Sequence, residues 1–84
     1  MKSTAVTVTT SATLVIAADN VNRTCYIHTT SGSAFLGDSA VTASSGLHVP
    51  NNTTMTILVP ANENVYAIAS SGTTNMRVLT PDTD

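Results

Sequence analysis

Basic residues are almost missing from this chain. Lys2, Arg23 and Arg77 are the whole set, and the formal net charge is −2. No patch can therefore neutralise a run of phosphates, and no nucleic-acid partner is expected. Charge of either sign is scarce: 10% of residues are charged, against roughly a quarter in ordinary soluble domains. Cysteine is equally sparse. Cys25 stands alone, which excludes an internal disulfide. Tryptophan is absent, and Tyr26, Phe35 and Tyr66 lie too far apart for an aromatic sugar platform, so packing in a core or an interface is the expectation for each. No apolar run approaches the ~20 residues of a membrane-spanning helix, and no membrane partner is expected. Lys2 leads directly into STAVTVTT, without the apolar core and small-residue cleavage site of a signal peptide. Ordinary secretion is not expected, and the N-x-T triplets at Asn22, Asn51 and Asn52 read as products of a Thr- and Asn-rich composition.

What the chain does have is alternation. Apolar residues make up 42% of it, enough for a core despite the low charge, and they recur at every second position in short bursts. The stretch from 23 to 50, RTCYIHTTSGSAFLGDSAVTASSGLHVP, contains both histidines, the cysteine and the phenylalanine. Period two places Cys25 and Ile27 on one face of a strand and Thr24, Tyr26 and His28 on the other. Ala34, Leu36, Leu47 and Val49 repeat the spacing between breaks at Gly32, Gly37 and Gly46, which reads as a β-meander.

Along the chain, residues 4–9 read as a first strand with Val6 and Val8 inward. Residues 13–17 read as a second, with Leu14 and Ile16 on one face and Val15 on the other; an apolar residue on the polar side hints at burial on both faces. Asp19-Asn20-Val21-Asn22 is a turn cluster whose side chains bond their own backbone. Residues 33–36 form a short strand, 41–45 either a strand or an irregular crossing, and 46–49 another strand that stops at Pro50. Residues 53–59 give the cleanest alternation, Met55, Ile57 and Val59 against Thr54, Thr56 and Leu58. Residues 65–69 and 75–79 then read as a hairpin around Ser70 to Thr73, with 81–84 as a flexible acidic tail. About eight short antiparallel strands with turn signals about every 8–12 residues indicate an all-β fold, a small single-domain β-sandwich, jelly-roll-like or barrel-like, over residues 1–84. In a chain of 84 residues the hydrophobic gain and the entropy of ordering nearly cancel. A partner subunit or larger assembly is the physical expectation.

No group of residues announces chemistry. Cys25 and His28 have a C-x-x-H spacing, but residues three apart on a strand face opposite ways and cannot share a metal. A buried thiol is the reading for Cys25. His28 and His48 would have to meet across strands or around an oligomer axis to bind a metal, and ring packing at a sheet surface or interface is the preferred reading. Ser, His and Asp occur without a nucleophile elbow or an oriented base, and the SSG triplets lack the Lys and the helix of a phosphate cradle. The expectation is no enzyme, no cofactor and no metal site. Arg23 and Arg77 each enter a β segment, where they either pair with Asp38, Glu63 or the acidic tail, or sit in an interface.

The phrases ATLVIAADN, NRTCYIH, FLGDSAVTASSG and VYAIASSGTTNMRVL, spanning about residues 5–80, resemble the small all-β virion proteins of tailed bacteriophages. These are found as capsid decoration or cement proteins and as head- or tail-associated accessory domains. The resemblance implies a homo-oligomeric subunit, commonly a trimer, made in the host cytoplasm. It would attach to the major capsid protein on the outside of the head and stabilise the shell against the pressure of packaged DNA, with no catalytic residues. On this reading the strand edges, the Thr faces and an N-terminal arm over residues 1–10 are the attachment surfaces. Val6, Val8, Arg23, Tyr26, His28, Tyr66 and Arg77 are the candidate interface residues. Deleting residues 1–10 should then abolish attachment and leave a folded subunit. The alternative is a tail- or fibre-associated module that binds a host-surface carbohydrate or receptor through Asp19, Asn20 and Asn22 at one turn and Asn51 and Asn52 at another.

Overall fold

A computed structural model describes residues 1–81; the acidic tail expected at 81–84 lies outside them from Asp82 onward. The described residues form eight strands: β1 Lys2–Val8, β2 Thr13–Ile16, β3 Arg23–Thr30, β4 Ala34–Gly37, β5 Leu47–Val49, β6 Thr54–Val59, β7 Val65–Ala69 and β8 Thr74–Thr80. They form two four-stranded antiparallel sheets, β1-β8-β3-β6 (sheet A) and β2-β7-β4-β5 (sheet B).

The connectivity has a simple logic. β1 pairs with β8, β2 with β7, β3 with β6 and β4 with β5, as in one long hairpin. The further pairings β3·β8 and β4·β7 roll that hairpin into two layers. This is the jelly-roll form of the β-sandwich. Only the β4–β5 connection stays within a sheet. The meander expected over 23–50 is therefore not formed, because β3 joins sheet A while β4 and β5 join sheet B. The hairpin expected over 65–79 is not formed either: β7 lies in sheet B and β8 in sheet A. Gly, Ser and Asn mark where a strand ends, but the partner of the next strand is chosen by burial of its apolar face.

The two inner faces make one core. β3 turns Arg23, Cys25, Ile27 and Thr29 inward and Thr24 and Tyr26 outward, as its alternation requires. Ile27, Met76, Val8, Val49 and Val59 are among the largest fully buried side chains. β2 departs from the sequence reading. Its register shifts between Leu14 and Ile16, and this bulge breaks the period of two. Val15 and Ile16 both point inward, while Leu14 is left 44% exposed. Residues 41–45 form turns, and the loop folds Val41, 6% exposed, back onto sheet B. A Cβ on Gly37 would lie 2.7 Å from Val41 Cγ2, so glycine at 37 allows that close approach.

Loops at each end of the sandwich are tied by side chains. At one end the buried Thr29 hydroxyl donates to the Pro50 carbonyl, the Thr74 hydroxyl to the Ser33 carbonyl at 2.9 Å, and the Gly32 N–H to Asn51 Oδ1 at 2.9 Å. Gly32 sits there with φ +141°, and a Cβ on it would fall 2.9 Å from Thr74 Oγ1. Replacing Gly32 with Ala combines backbone strain with a clash in a buried hydrogen bond. We expect it to destabilise by about 1–3 kcal/mol, a drop of roughly 5–20 °C in Tm. Gly72→Ala, with φ +61° and open space around it, should show the smaller loss of the two in the same thermal melt.

Candidate functional site

The outer face of sheet A is the candidate site. Antiparallel register builds it row by row. One row runs Ala5, Arg77, His28, Thr54 across β1, β8, β3 and β6; the next runs Ser3, Leu79, Tyr26, Thr56. Leu58 follows opposite Thr24, one diagonal step from Tyr26. His28 Nδ1 and Thr54 Oγ1 are hydrogen-bonded at 2.8 Å, which sets the imidazole orientation. Ser3, Tyr26, His28, Thr54, Arg77 and Leu79 line a shallow groove of ≈ 450 Å³.

Three of the seven candidate interface residues, Tyr26, His28 and Arg77, meet on this face. The others do not join them. Val8 is fully buried and offers no surface to a partner, and Arg23, 4% exposed, meets the surface only at the floor of a crevice, because both belong to inward positions of their strands. The Arg23 guanidinium donates from Nη2 to the Ala17 carbonyl at 2.7 Å. Val6 is half-buried on the inner side of β1, and beside it a second crevice of ≈ 300 Å³ opens between β1 and β2, lined in part by Lys2, Leu14, Asp19 and Arg23. Tyr66 lies on sheet B, opposite Leu14 and Gly37.

Sequence reasoning missed the two leucines of the site. Leu58 is 71% exposed and Tyr26 42%, and with Leu79 they make a diagonal across β6, β3 and β8. The signal was present in the chain: Leu58 is the one apolar residue on the Thr face of β6. Leu79 carried the same mark, as the one apolar residue on the Asn75–Arg77 face of β8.

The other candidate pairings separate. Cys25 is fully buried and His28 faces out, as the strand period predicts. His48 lies on the opposite sheet from His28, where it stacks on Phe35 with ring centroids 4.8 Å apart and an interplanar angle of 19°. The Asp and Asn turns proposed to bind carbohydrate lie at opposite ends of the sandwich, and one side chain in each, Asn22 and Asn51, ties its loop to another. Asn22 Oδ1 accepts from Ala61 N–H at 2.8 Å, Asp19 Oδ1 from Asn20 N–H at 2.6 Å, and Asn51 Oδ1 from Gly32 N–H.

The face thus offers a guanidinium, an imidazole, a phenol and hydroxyls around an apolar diagonal. Such a surface recognises by burial and hydrogen bonding. Compared with models of known families, with curated proteins and with solved structures, the chain matches none.

Proposed function

We propose that this chain is a structural subunit of a larger protein assembly, a decoration or cement protein held on the outer surface of a bacteriophage head by the major capsid protein. The observation that carries the reading is the outer face of sheet A. Among the described residues of that face Arg77 is the only one with a formal charge, and Leu58, Tyr26 and Leu79 supply apolar surface where a solitary soluble domain would place Lys and Glu. A subunit of this kind works by buried area. Each copy adds an interface of ~800 Å² per partner, and repetition over a lattice multiplies a modest contact into resistance to rupture. No bond is made or broken, and no cofactor is called for.

The test is the copy number per purified virion, by quantitative mass spectrometry against the major capsid protein. Hundreds of copies are expected. Heads that lack the protein should assemble but fail sooner on heating or chelation, and equal survival of the two particles would reject the role. A handful of copies would move the chain to the tail and favour the receptor-binding module, while absence from the virion would overturn both. The carbohydrate reading has less support, because Asp19, Asn20 and Asn22 lie at the opposite end of the sandwich from Asn51 and Asn52, and the Asn22 and Asn51 side chains are occupied in tying loops.

A further inference from the structure

The four sheet edges are not alike. Sheet B ends on β2, which is bulged between Leu14 and Ile16, and on β5, which has three residues and runs into Pro50. Sheet A ends on β1, which carries the ammonium of Lys2, and on β6. Charge, bulges, shortness and proline are the devices that keep edges from pairing with other chains. β6, TMTILV, also runs into a proline, Pro60, but it has six residues and carries no charge, bulge or proline within the strand.

The unpaired groups of that edge can be identified. Thr29 N–H donates to the Thr53 carbonyl at 3.1 Å, so Thr53 directs its backbone groups at β3. Direction alternates along an antiparallel strand. Met55, Ile57 and Val59 therefore also bond to β3, and Thr54, Thr56 and Leu58 present their N–H and C=O groups at the open edge. These donors and acceptors are spaced to receive an antiparallel strand.

We propose that the strand they receive is β6 of a second copy, paired about a two-fold axis at Thr56 to give one continuous sheet across two sandwiches. The segment is complementary to itself in that register. Thr56 meets Thr56, and Thr54 meets Leu58, so the three outward-directed residues of each copy exchange about six hydrogen bonds. On the inner side Met55 meets Ile57. Both are only partly buried against the core of their own subunit, and each would cover the other. No charges face one another along the strand, and a Thr–Thr pair is a favourable cross-strand contact. The axis stands perpendicular to the sheet, so the outer faces of the two copies join side by side and the Leu58–Tyr26–Leu79 diagonal is continued into the second copy. This two-fold contact goes beyond the role proposed above, and differs from the trimer that the resemblance implies.

The experiment uses the purified full chain. Sedimentation should show a dimer. Thr56→Lys places two ammonium groups opposite each other at the axis, and it should weaken association at least tenfold while the circular dichroism spectrum of the folded chain stays the same. Thr56→Cys should form a covalent dimer on oxidation, since residues in a hydrogen-bonded pair have Cα atoms about 5.5 Å apart, within disulfide range. Ala5→Cys on β1 should not. A chain that stays monomeric at all concentrations, association unaffected by Thr56→Lys, or cross-linking through Ala5→Cys in place of Thr56→Cys would each overturn the proposal. Should Thr56→Lys unfold, the cross-linking pair decides. These outcomes concern the isolated chain, whereas copy number per virion concerns the assembly role, so each can fail without the other.

Discussion

Deletion of residues 1–10 should abolish the cooperative fold, not merely detach an arm. β1 pairs with β8 along its whole length, from Lys2 opposite Thr80 to Val8 opposite Thr74. Removing it strips the ladder from one side of β8, takes the fully buried Val8 out of the core, and deletes the Thr9 carbonyl that accepts from Ala69 N–H at 2.8 Å. That last bond links the connection after β1 to sheet B. In a domain whose total stability is of order 4–13 kcal/mol at about 0.05–0.15 kcal/mol per residue, the loss of a strand, a core side chain and a loop tie together exceeds the margin. The measurement is a thermal melt of the truncated chain followed by circular dichroism, with no sigmoidal transition expected. A cooperative transition within a few degrees of the full chain would show that β8, β3 and β6 suffice for sheet A, and would restore the N-terminal segment as a separable arm.

Ile27→Ala and Leu58→Ala should differ sharply although both remove the same number of side-chain carbons. Ile27 is 1% exposed, between the two sheets in the middle of β3, and Leu58 is 71% exposed on β6. Truncating a buried Ile removes the transfer free energy of its methylene groups and leaves a cavity that close-packed neighbours fill only in part, a loss of about 2–5 kcal/mol. That is a large fraction of the stability of so small a domain and corresponds to a fall of roughly 10–40 °C in Tm. Leu58→Ala removes carbon that already faces water, and its effect on unfolding should stay within about 0.5 kcal/mol. Chemical denaturation of the two variants at equal concentration checks this. It should be done on a background held monomeric by Thr56→Lys, because Leu58 also lies in the proposed two-fold contact. Equal shifts in midpoint would mean that Leu58 is buried within the subunit and that the diagonal patch does not exist.

The local structure of the sandwich was written in the sequence because strand period and turn chemistry are local. Alternation put Cys25 and Ile27 on one face of β3 and Met55, Ile57 and Val59 on one face of β6, but it did not name Arg23 and Thr29 as sharing the inner face of β3, and Gly, Asn and Pro marked the ends of nearly every strand. Cys25 and His28 could be assigned to opposite faces from their spacing alone. What the residues could not declare was which strand lies beside which. β1 and β8 pair from opposite ends of the chain, and β3 takes β6 and β8 as neighbours instead of β4, because pairing is decided by how two amphipathic sheets bury their apolar faces against each other. The bulge in β2 belongs to the same level: period two put Leu14 and Ile16 on one face and Val15 on the other, with apolar Val15 hinting at burial on both, and the register shift against β7 turned Leu14 out and kept Val15 and Ile16 in. The candidate site followed suit. Tyr26, His28 and Arg77 were recognisable one by one as residues out of place in a charge-poor Thr-rich chain, yet their meeting on one face, with Leu58 and Leu79 beside them, depends on the β1-β8-β3-β6 order that only the tertiary structure supplies.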